Sequence, residues 1–168
     1  SSFELKLYQF LYPNHLAFSI GDDLMDEVCE NGNLELAKWL RSPAKPGLDA
    51  DASCQGCPWG LGRWWTCIYA AKGGHLKVLQ WARSQGCPWN VYTCRFAAEG
   101  GHLEVLQWAR SDPTDPCPWD ELVCINAALK GHLEVLKWAI EKGCPYYINA
   151  VKHFALNYPL ILEYLSTL

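Results

Sequence analysis

Two cysteine-containing stretches with the same spacing are the parts of this sequence that most resemble a metal site. In both "CPWNVYTC" (87–94) and "CPWDELVC" (117–124) the cysteines stand seven positions apart, and histidines occur nearby at His75, His102 and His132. Thiolates and imidazoles are ligands that zinc prefers. Cysteines at recurrent spacing can also form disulfides, or they can serve as packing residues. The organisation of the chain has to decide between these three uses.

The number of cysteines bears on the compartment of the protein. The chain contains nine, an odd number that fits poorly with a closed disulfide framework and better with reduced thiols. Reduced thiols are typical of intracellular proteins, so we expect a reducing compartment, with the cytoplasm favoured. The first residues, "SSFELKLYQFLYP", lack the cleavage pattern of a signal peptide. Because the sequence starts without methionine, we expect a processed or truncated chain, and an organelle is compatible if a targeting segment was removed.

Composition and charge narrow the function classes. The 168 residues include 14 basic and 18 acidic side chains, a net charge of −4, with no block of like charge. A nucleic-acid-binding surface needs a basic patch, so we predict no nucleic acid partner. No apolar run approaches the roughly 18 residues of a membrane-spanning helix, so we predict no direct membrane insertion. A chain of this length can form one substantial core or a stack of small units.

The sequence repeats itself. Three segments align without gaps over 14 positions or more: "CIYAAKGGHLKVLQWARSQGCPW" from Cys67, "CRFAAEGGHLEVLQWARS" from Cys94 and "CINAALKGHLEVLKWAIEKGCP" from Cys124. Their Gly-His-Leu triplets begin at Gly74, Gly101 and Gly131, which are 27 and 30 residues apart. The three extra residues lie in "SDPTDPCPW", where prolines lengthen a turn. Internal repetition at such a period is typical of a solenoid.

The same frame extends outward in weaker form. "MDEVCENGNLELAKWLRS" (25–42) matches it upstream, and "CPYYINAVKHFALNYPLILEYL" (144–165) continues it downstream without the Gly-His pair. Degenerate outer units are typical of the capping units of a solenoid. We therefore predict a single domain over residues 1–168, made of an N-terminal cap segment at 1–20, repeats at about 21–56, 57–86, 87–116 and 117–143, and a C-terminal cap repeat at 144–168.

One unit can be interpreted residue by residue. Gly86 suits a left-handed cap and Pro88 cannot continue a helix, so a turn is expected there. Asn90 is a good N-cap for a first helix over 91–99, and a second helix is expected over 103–110. The apolar residues of that second helix cover an arc of about 220°, too wide for a surface helix of an ordinary domain. Each unit must therefore bury its faces by stacking, which predicts an all-α fold, an α-solenoid.

These residues resemble the ankyrin repeat. "AAEGGHLEVLQWARS" (97–111) and "AAKGGHLKVLQWARSQGC" (70–87) are similar to the family stretch Ala-Ala-x-x-Gly-His-x-x-Val-Val-x-x-Leu-Leu-x-x-Gly-Ala. The family's Thr-Pro-Leu-His segment is absent, and the unit of 27 residues is about six shorter than the usual period. The missing residues fall where the family projects its β-hairpin fingers. The resemblance implies stacked helix-turn-helix units whose fingers are reduced or absent.

The repeat changes the meaning of the cysteines. Seven of them occupy two repeat positions: Cys57, Cys87, Cys117 and Cys144 precede proline, and Cys67, Cys94 and Cys124 lie inside the first helix. In the last unit Val151 takes the inner position, which suits a small apolar core site and not a thiolate ligand. A zinc site would need four converging ligands, so we predict no metal and no cofactor. "CQGC" (54–57) is the only CxxC motif, and it keeps a zinc- or redox-responsive role open.

Histidines and tryptophans also follow the repeat. The resemblance implies that His75, His102 and His132 satisfy backbone groups at the turn, and we predict a structural role for them instead of a catalytic one. Trp39, Trp81, Trp108 and Trp138 recur in the second helix and are expected in the core between units. Trp59, Trp89 and Trp119 follow Cys-Pro. We favour packing of each against the next repeat, with partial exposure to a partner as the alternative.

If stacking explains what the units share, function should lie where they differ. First helices and the turns before them vary most, and in ankyrin-like stacks these elements line the concave face. The sequence therefore predicts a protein-binding concave face centred on seven residues: Trp64, Trp65, Tyr92, Arg95, Glu99, Ile125 and Leu129. The second helices carry a uniform polar stripe, exemplified by Lys77, Gln80 and Glu104, which we expect to be solvated convex surface.

Three functions remain open at this point. The leading one is a non-enzymatic protein–protein interaction module, a scaffold or a structural subunit of a larger assembly. A second is an adaptor that recruits substrates to another machine, for example a ubiquitin ligase. The third is the zinc- or redox-responsive protein, which would use Cys54 and Cys57.

Overall fold

The computed structural model describes residues 21–41 and 65–168. Within those ranges the chain forms helices joined by turns and no β-strand, which confirms the all-α prediction. The helices are α1 (Gly21–Glu30), α2 (Leu34–Arg41), α3 (Trp65–Lys72), α4 (Leu76–Ser84), α5 (Val91–Glu99), α6 (Leu103–Ser111), α7 (Glu121–Leu129), α8 (Leu133–Glu141), α9 (Ile148–Phe154) and α10 (Pro159–Ser166). The predicted cap segment at 1–20, the Cys54–Cys57 motif and Trp59 lie outside the described residues.

The helices pack in pairs, and the pairs stack. Each odd-numbered helix packs on the even-numbered helix that follows it, and α1, α3, α5, α7 and α9 pack side by side in that order. The even-numbered helices of successive units make far fewer contacts with one another. This arrangement confirms the α-solenoid. The exact unit boundaries proposed from the sequence stay predictions.

Turn residues set where the helices begin, as predicted. The Asn90 side chain accepts a hydrogen bond from the Tyr92 amide (3.0 Å), and α5 runs from Val91 to Glu99. Asp120 caps α7 in the same way, through the Leu122 amide (3.2 Å). Gly86 has φ +81°, the left-handed conformation that ends the preceding helix. The connections that follow α4, α6 and α8 contain no strand, so the fingers are absent at these described positions.

The core runs without interruption through the stack. In the second helices Val105, Leu106 and Ala109 are fully buried, as are their counterparts in the neighbouring units. In the first helices Ala97 and Ala98 are fully buried too. Their short side chains allow the close approach of α3, α5 and α7. Burial of the same positions in each unit explains why the repeat is so regular in sequence.

The repeated histidines join neighbouring units. Nε2 of His75 lies 2.8 Å from the Glu30 carbonyl oxygen, and His102 makes the same contact with the Lys72 carbonyl (2.9 Å). His132 continues the series with the carbonyl of Glu99 (3.0 Å).

Because a carbonyl only accepts, Nε2 carries the proton in each case. Each carbonyl lies in the last turn of the first helix of the preceding unit. The carbonyl groups of a last turn have no hydrogen-bond partner within their own helix. The predicted structural role is confirmed, and the bond turns out to cross from one unit to the next.

The last unit replaces this histidine with tyrosine. Tyr158 occupies the equivalent position before α10, and its ring covers Gly131 so closely that an added Cβ there would lie 2.3 Å from ring atom Cε1. An aromatic ring therefore still covers the glycine turn in the unit where the imidazole is missing.

The cysteines are packing residues. Cys67, Cys94 and Cys124 have no exposed surface, and neither has Val151 at the equivalent position. All seven described cysteines are free thiols and buried, and burial raises the pKa of the Cys29 thiol to about 12. Across the two described ranges no group of three or more His, Cys, Asp or Glu side chains could hold a metal ion.

Tryptophans after the Cys-Pro turns lie in a different place from the one expected. Trp89 is only 7% exposed, and its ring meets Trp108 of its own unit edge-on, with ring centroids 5.7 Å apart. The Arg83 guanidinium from the preceding unit lies 4.0 Å above the Trp89 ring. The expectation of packing against the next repeat was therefore wrong, because the turn before α5 falls between the end of α4 and the flank of α6. Burial of Trp89 itself is confirmed.

The tryptophans of the second helices were expected in the core between units. Those that the structure describes are half-buried and pack against the core from its edge: Trp39, Trp81, Trp108 and Trp138.

Candidate partner-binding surface

The odd-numbered helices form one layer of the stack. They pack along one another from unit to unit, whereas the even-numbered helices have few such contacts. The sequence predicts that this layer lines the concave side, so the outward positions of α3, α5 and α7 are the candidate surface. We call the exposed part of this layer, with its first-turn residues, the concave face.

Three of the predicted residues are exposed apolar side chains. Trp65 is 45% exposed, Tyr92 is 48% exposed and Leu129 is 44% exposed. Each lies on a different first helix, in α3, α5 and α7 respectively. The Trp65 ring contacts Tyr69 one turn later, with centroids 6.0 Å apart. The neighbouring predicted residue Trp64 lies outside the described residues.

The Ile125 side chain is only partly exposed. It is partly buried and packs against the core. The equivalent position in the preceding unit is Arg95, and one unit earlier it is Ile68, which is 3% exposed. This register position therefore turns toward the neighbouring unit, and Ile125 contributes an edge to the concave face.

Arg95 is engaged with the next unit. Its Nε donates to Oδ1 of Asp120 at 3.0 Å, and its Nη2 donates to Oδ2, so the pair is bidentate. The guanidinium also lies 4.8 Å above the Tyr92 ring, and the Asn126 amide donates to the Arg95 carbonyl (3.3 Å). Arg95 therefore cross-links α5 to the cap of α7. The sequence reasoning assigned it to a partner and could not see this pairing.

The Arg95–Asp120 pair makes a testable contribution to stability. The hydrogen bonds from Arg95 lower the pKa of Asp120 below its ordinary value, and both side chains are mostly buried, at 19% and 23% exposure. We expect Asp120→Asn, which keeps a capping oxygen, to lower the free energy of unfolding at pH 7 by about 1–2 kcal/mol.

The sign of the pH dependence follows from the lowered pKa. A carboxyl group whose pKa is lowered by folding stabilises the folded state at pH values above its unfolded pKa of about 3.9. This stabilisation is lost as the pH falls through the pKa of the folded state. In urea titrations from pH 7 to pH 3, the difference between wild type and Asp120→Asn should therefore shrink below about pH 4. A difference that stayed constant across this range would contradict the assignment. Glu104→Gln, at an exposed carboxylate, is the control.

Charged pairs border the concave face at the C-terminal ends of the first helices. Lys72 Nζ lies 2.7 Å from Glu30 Oε1, and this hydrogen bond raises the pKa of Lys72. In the later units Lys130 Nζ lies 3.5 Å from Oε1 of the predicted site residue Glu99. Exposed pairs of this kind contribute little to stability. The two pairs join the unit of α1 to that of α3 and the unit of α5 to that of α7. Leu129 is apolar at the position that is charged in the two units before it.

Sequence reasoning did not include Tyr69, Lys72 and Asp120 in this surface. Tyr69 and Lys72 do differ from unit to unit, which was the signal used to select the other residues. Asp120 was recognised only as a helix cap, because its pairing with Arg95 depends on the stacking distance. The resulting surface has exposed aromatic and aliphatic side chains separated by ion pairs that are already satisfied within the chain.

A comparison with protein families agrees with this geometry. Residues 94–140 match a family model described as ankyrin repeats in many copies. This part of the chain is therefore similar to ankyrin repeats. The matched range runs from Cys94 in α5 to Ile140 in α8. The helix pairs on either side of it stack in the same order.

Ankyrin repeats are generally protein–protein interaction modules, and the family is typically non-enzymatic. No curated protein matches this sequence. Among the helices that the structure describes, none has both the length and the apolar character needed to cross a bilayer.

Proposed function

We propose that this chain is a non-enzymatic module that binds a protein partner through the concave face. The observation that carries the proposal is the exposure of Trp65, Tyr92 and Leu129 on three successive first helices. Aromatic side chains such as Trp65 and Tyr92 often dominate the binding energy of protein interfaces when a partner buries them, and Leu129 adds apolar area beside them. Their placement in consecutive units suits an extended segment or a helix lying across the stack.

The charge distribution supports a protein as the partner. Lys72 pairs with a carboxylate and Glu99 with an ammonium group from a neighbouring unit. These pairs lie beside the apolar residues and add no net positive charge to the surface. With an overall charge of −4, we propose no nucleic acid partner. The seven buried free thiols support a reducing intracellular compartment, which we propose as the location, with the cytoplasm favoured.

Single substitutions on the concave face test the proposal. Tyr92→Ala should weaken the captured partner's affinity about tenfold or more, because it removes an aromatic anchor, and Leu129→Ala should weaken it to a smaller extent. The same changes should alter the free energy of unfolding by only about 0.5 kcal/mol, since both side chains lie at the surface. The partner is to be obtained by affinity capture and mass spectrometry, and its affinities measured by calorimetry.

The matched control is Leu160→Ala, which truncates a leucine that is 67% exposed on the second-helix layer in α10. This variant should bind the partner like wild type. Cross-links between the partner and only Lys77, Glu104 and other exposed second-helix residues would contradict the proposal. Metal analysis of the purified chain separates it from the zinc hypothesis, because stoichiometric zinc is not expected from a pure interaction module.

A further inference from the structure

A cleft of about 380 Å³ lies on the second-helix side of the stack, away from the concave face. It opens between the ends of α6 and α8, below the turn that precedes α7. Its lining residues are Gln107, Arg110, Ser111, Trp119, Trp138 and Lys142. Two aromatic rings and two cations thus face one cavity, and none of its lining residues is acidic.

Contacts within the protein fix the position of the Arg110 guanidinium. Its Nη1 donates to the Cys117 carbonyl at 2.7 Å. Its Cζ atom lies 4.2 Å from the centre of the Trp119 ring. That ring meets Trp138 edge-on, with ring centroids 5.8 Å apart. A guanidinium has five N–H donors, so most of them remain for a ligand. Within the part of the chain that the structure describes, neither Arg110 nor Lys142 forms an ion pair.

The preceding unit contains the same arrangement of arginine and tryptophan, and there a carboxylate of the chain already bonds to the arginine. Arg83 Nη1 donates to the Cys87 carbonyl at 2.7 Å, and the guanidinium lies 4.0 Å above Trp89. Its Nη2 donates to Oδ2 of Asp115 at 2.6 Å. Asp115 belongs to the lengthened turn "SDPTDP" (111–116) that distinguishes this unit from the next.

The later unit has no counterpart of this carboxylate. The turn after α8 is three residues shorter, and Lys142 stands at the position that Asp112 occupies one unit earlier. The Arg110 site therefore has the aromatic wall and the oriented guanidinium of the Arg83 site, with an additional cation where the earlier unit has an acid.

We propose that the cleft formed by Arg110, Trp119, Trp138 and Lys142 binds a carboxylate of an acidic peptide segment. The guanidinium donates to the carboxylate through its free N–H groups, as Arg83 does to Asp115. Lys142 adds a second positive charge, and the two indole rings contact the apolar part of the peptide. This site is separate from the concave face, and binding here does not depend on the proposed binding there.

A peptide copied from the chain's own turn tests the proposal. Acetyl-Ser-Asp-Pro-Thr-Asp-Pro-amide carries only side-chain carboxylates, and its Ser-Asn-Pro-Thr-Asn-Pro version with a free C-terminus carries only a terminal one. We expect at least one of the two peptides to shift the NMR signals of the Trp119 and Trp138 indole N–H groups. Comparison of the two shows whether the cleft binds a side-chain or a terminal carboxylate. The fully blocked asparagine peptide should not bind.

Variants of the full chain identify the cations. Arg110→Gln should weaken binding about tenfold or more, since it removes a charge-assisted hydrogen bond. Lys142→Asp, at an exposed position, should weaken binding about fivefold because it replaces a cation with an acid. Lys77→Asp makes the same charge change at an exposed lysine elsewhere and should have no effect. In Asp115→Ala the peptide should also shift Trp89 and Trp108, because Arg83 is then released.

Three results would overturn the proposal. The first is equal binding of the carboxylate peptides and the fully blocked asparagine peptide. The second is unchanged affinity in Lys142→Asp and Arg110→Gln when both retain the wild-type circular dichroism spectrum. The third is a cleft that responds to inorganic phosphate and to none of the carboxylate peptides.

Discussion

Gly101→Ala is expected to lower the free energy of unfolding by about 3 kcal/mol, the largest effect of the substitutions considered. Gly101 has φ +76°, a conformation that costs an L-residue about 1–2 kcal/mol. An added Cβ would also lie 2.6 Å from Cε1 and Nδ1 of His132. The imidazole must move away, and its bond to the Glu99 carbonyl (3.0 Å) is then lost.

Gly86→Ala separates these two causes. Gly86 has a similar φ of +81°, but no atom lies within 4 Å of its added Cβ. We therefore expect only the conformational cost, about 1 kcal/mol. Urea unfolding monitored by circular dichroism measures both variants. Equal destabilisation of the two would show that the contact with His132 does not matter. Combining Gly101→Ala with His132→Ala should cost less than the sum of the single changes, because the clash is removed.

His102→Ala is expected to lower the free energy of unfolding by about 2 kcal/mol. The substitution removes the hydrogen bond from Nε2 to the Lys72 carbonyl (2.9 Å). That carbonyl ends α3 and has no partner within its helix, so it is left unpaired in a partly buried place. The ring also packs against Gly74 and Gly100, whose added Cβ atoms would lie 2.5 Å from its atoms, and this contact is lost as well.

The control is His153→Ala. His153 is exposed and its ring contacts Phe154, the next residue in α9. This change should alter the midpoint of urea unfolding very little. If His102→Ala and His153→Ala were equally mild, the bond between units would not contribute to the stability of the stack.

Much of the fold could be predicted from the sequence because local rules and the repeat agree. Gly86, Pro88 and Asn90 mark one turn by backbone conformation and capping alone, and α5 occupies the predicted residues 91–99. The position of Trp89 could not be derived in the same way. Its neighbours Trp108 and Arg83 come from opposite sides of the turn, and their meeting depends on how the two second helices are spaced.

The candidate surface was harder to predict than the fold. Variation between units correctly pointed to side chains that are exposed, such as Tyr92 and Leu129. Variation alone does not tell a residue that awaits a partner from one that is already paired. Arg95 differs from Ile125 at the same register position, yet its guanidinium bonds to Asp120, 25 residues away. Only the stacking distance between units reveals such a pair.

The bonds made by the repeated histidines have a consequence for how such a chain can change in length. Each central unit carries both halves of the junction: an imidazole that donates backward, such as His102 to Lys72, and a carbonyl that accepts from the unit ahead, such as Glu99 from His132. Duplicating or deleting one whole unit brings a donor and an acceptor of the same kind together again. The array can therefore grow or shrink by gene duplication without any compensating substitution at the new joint.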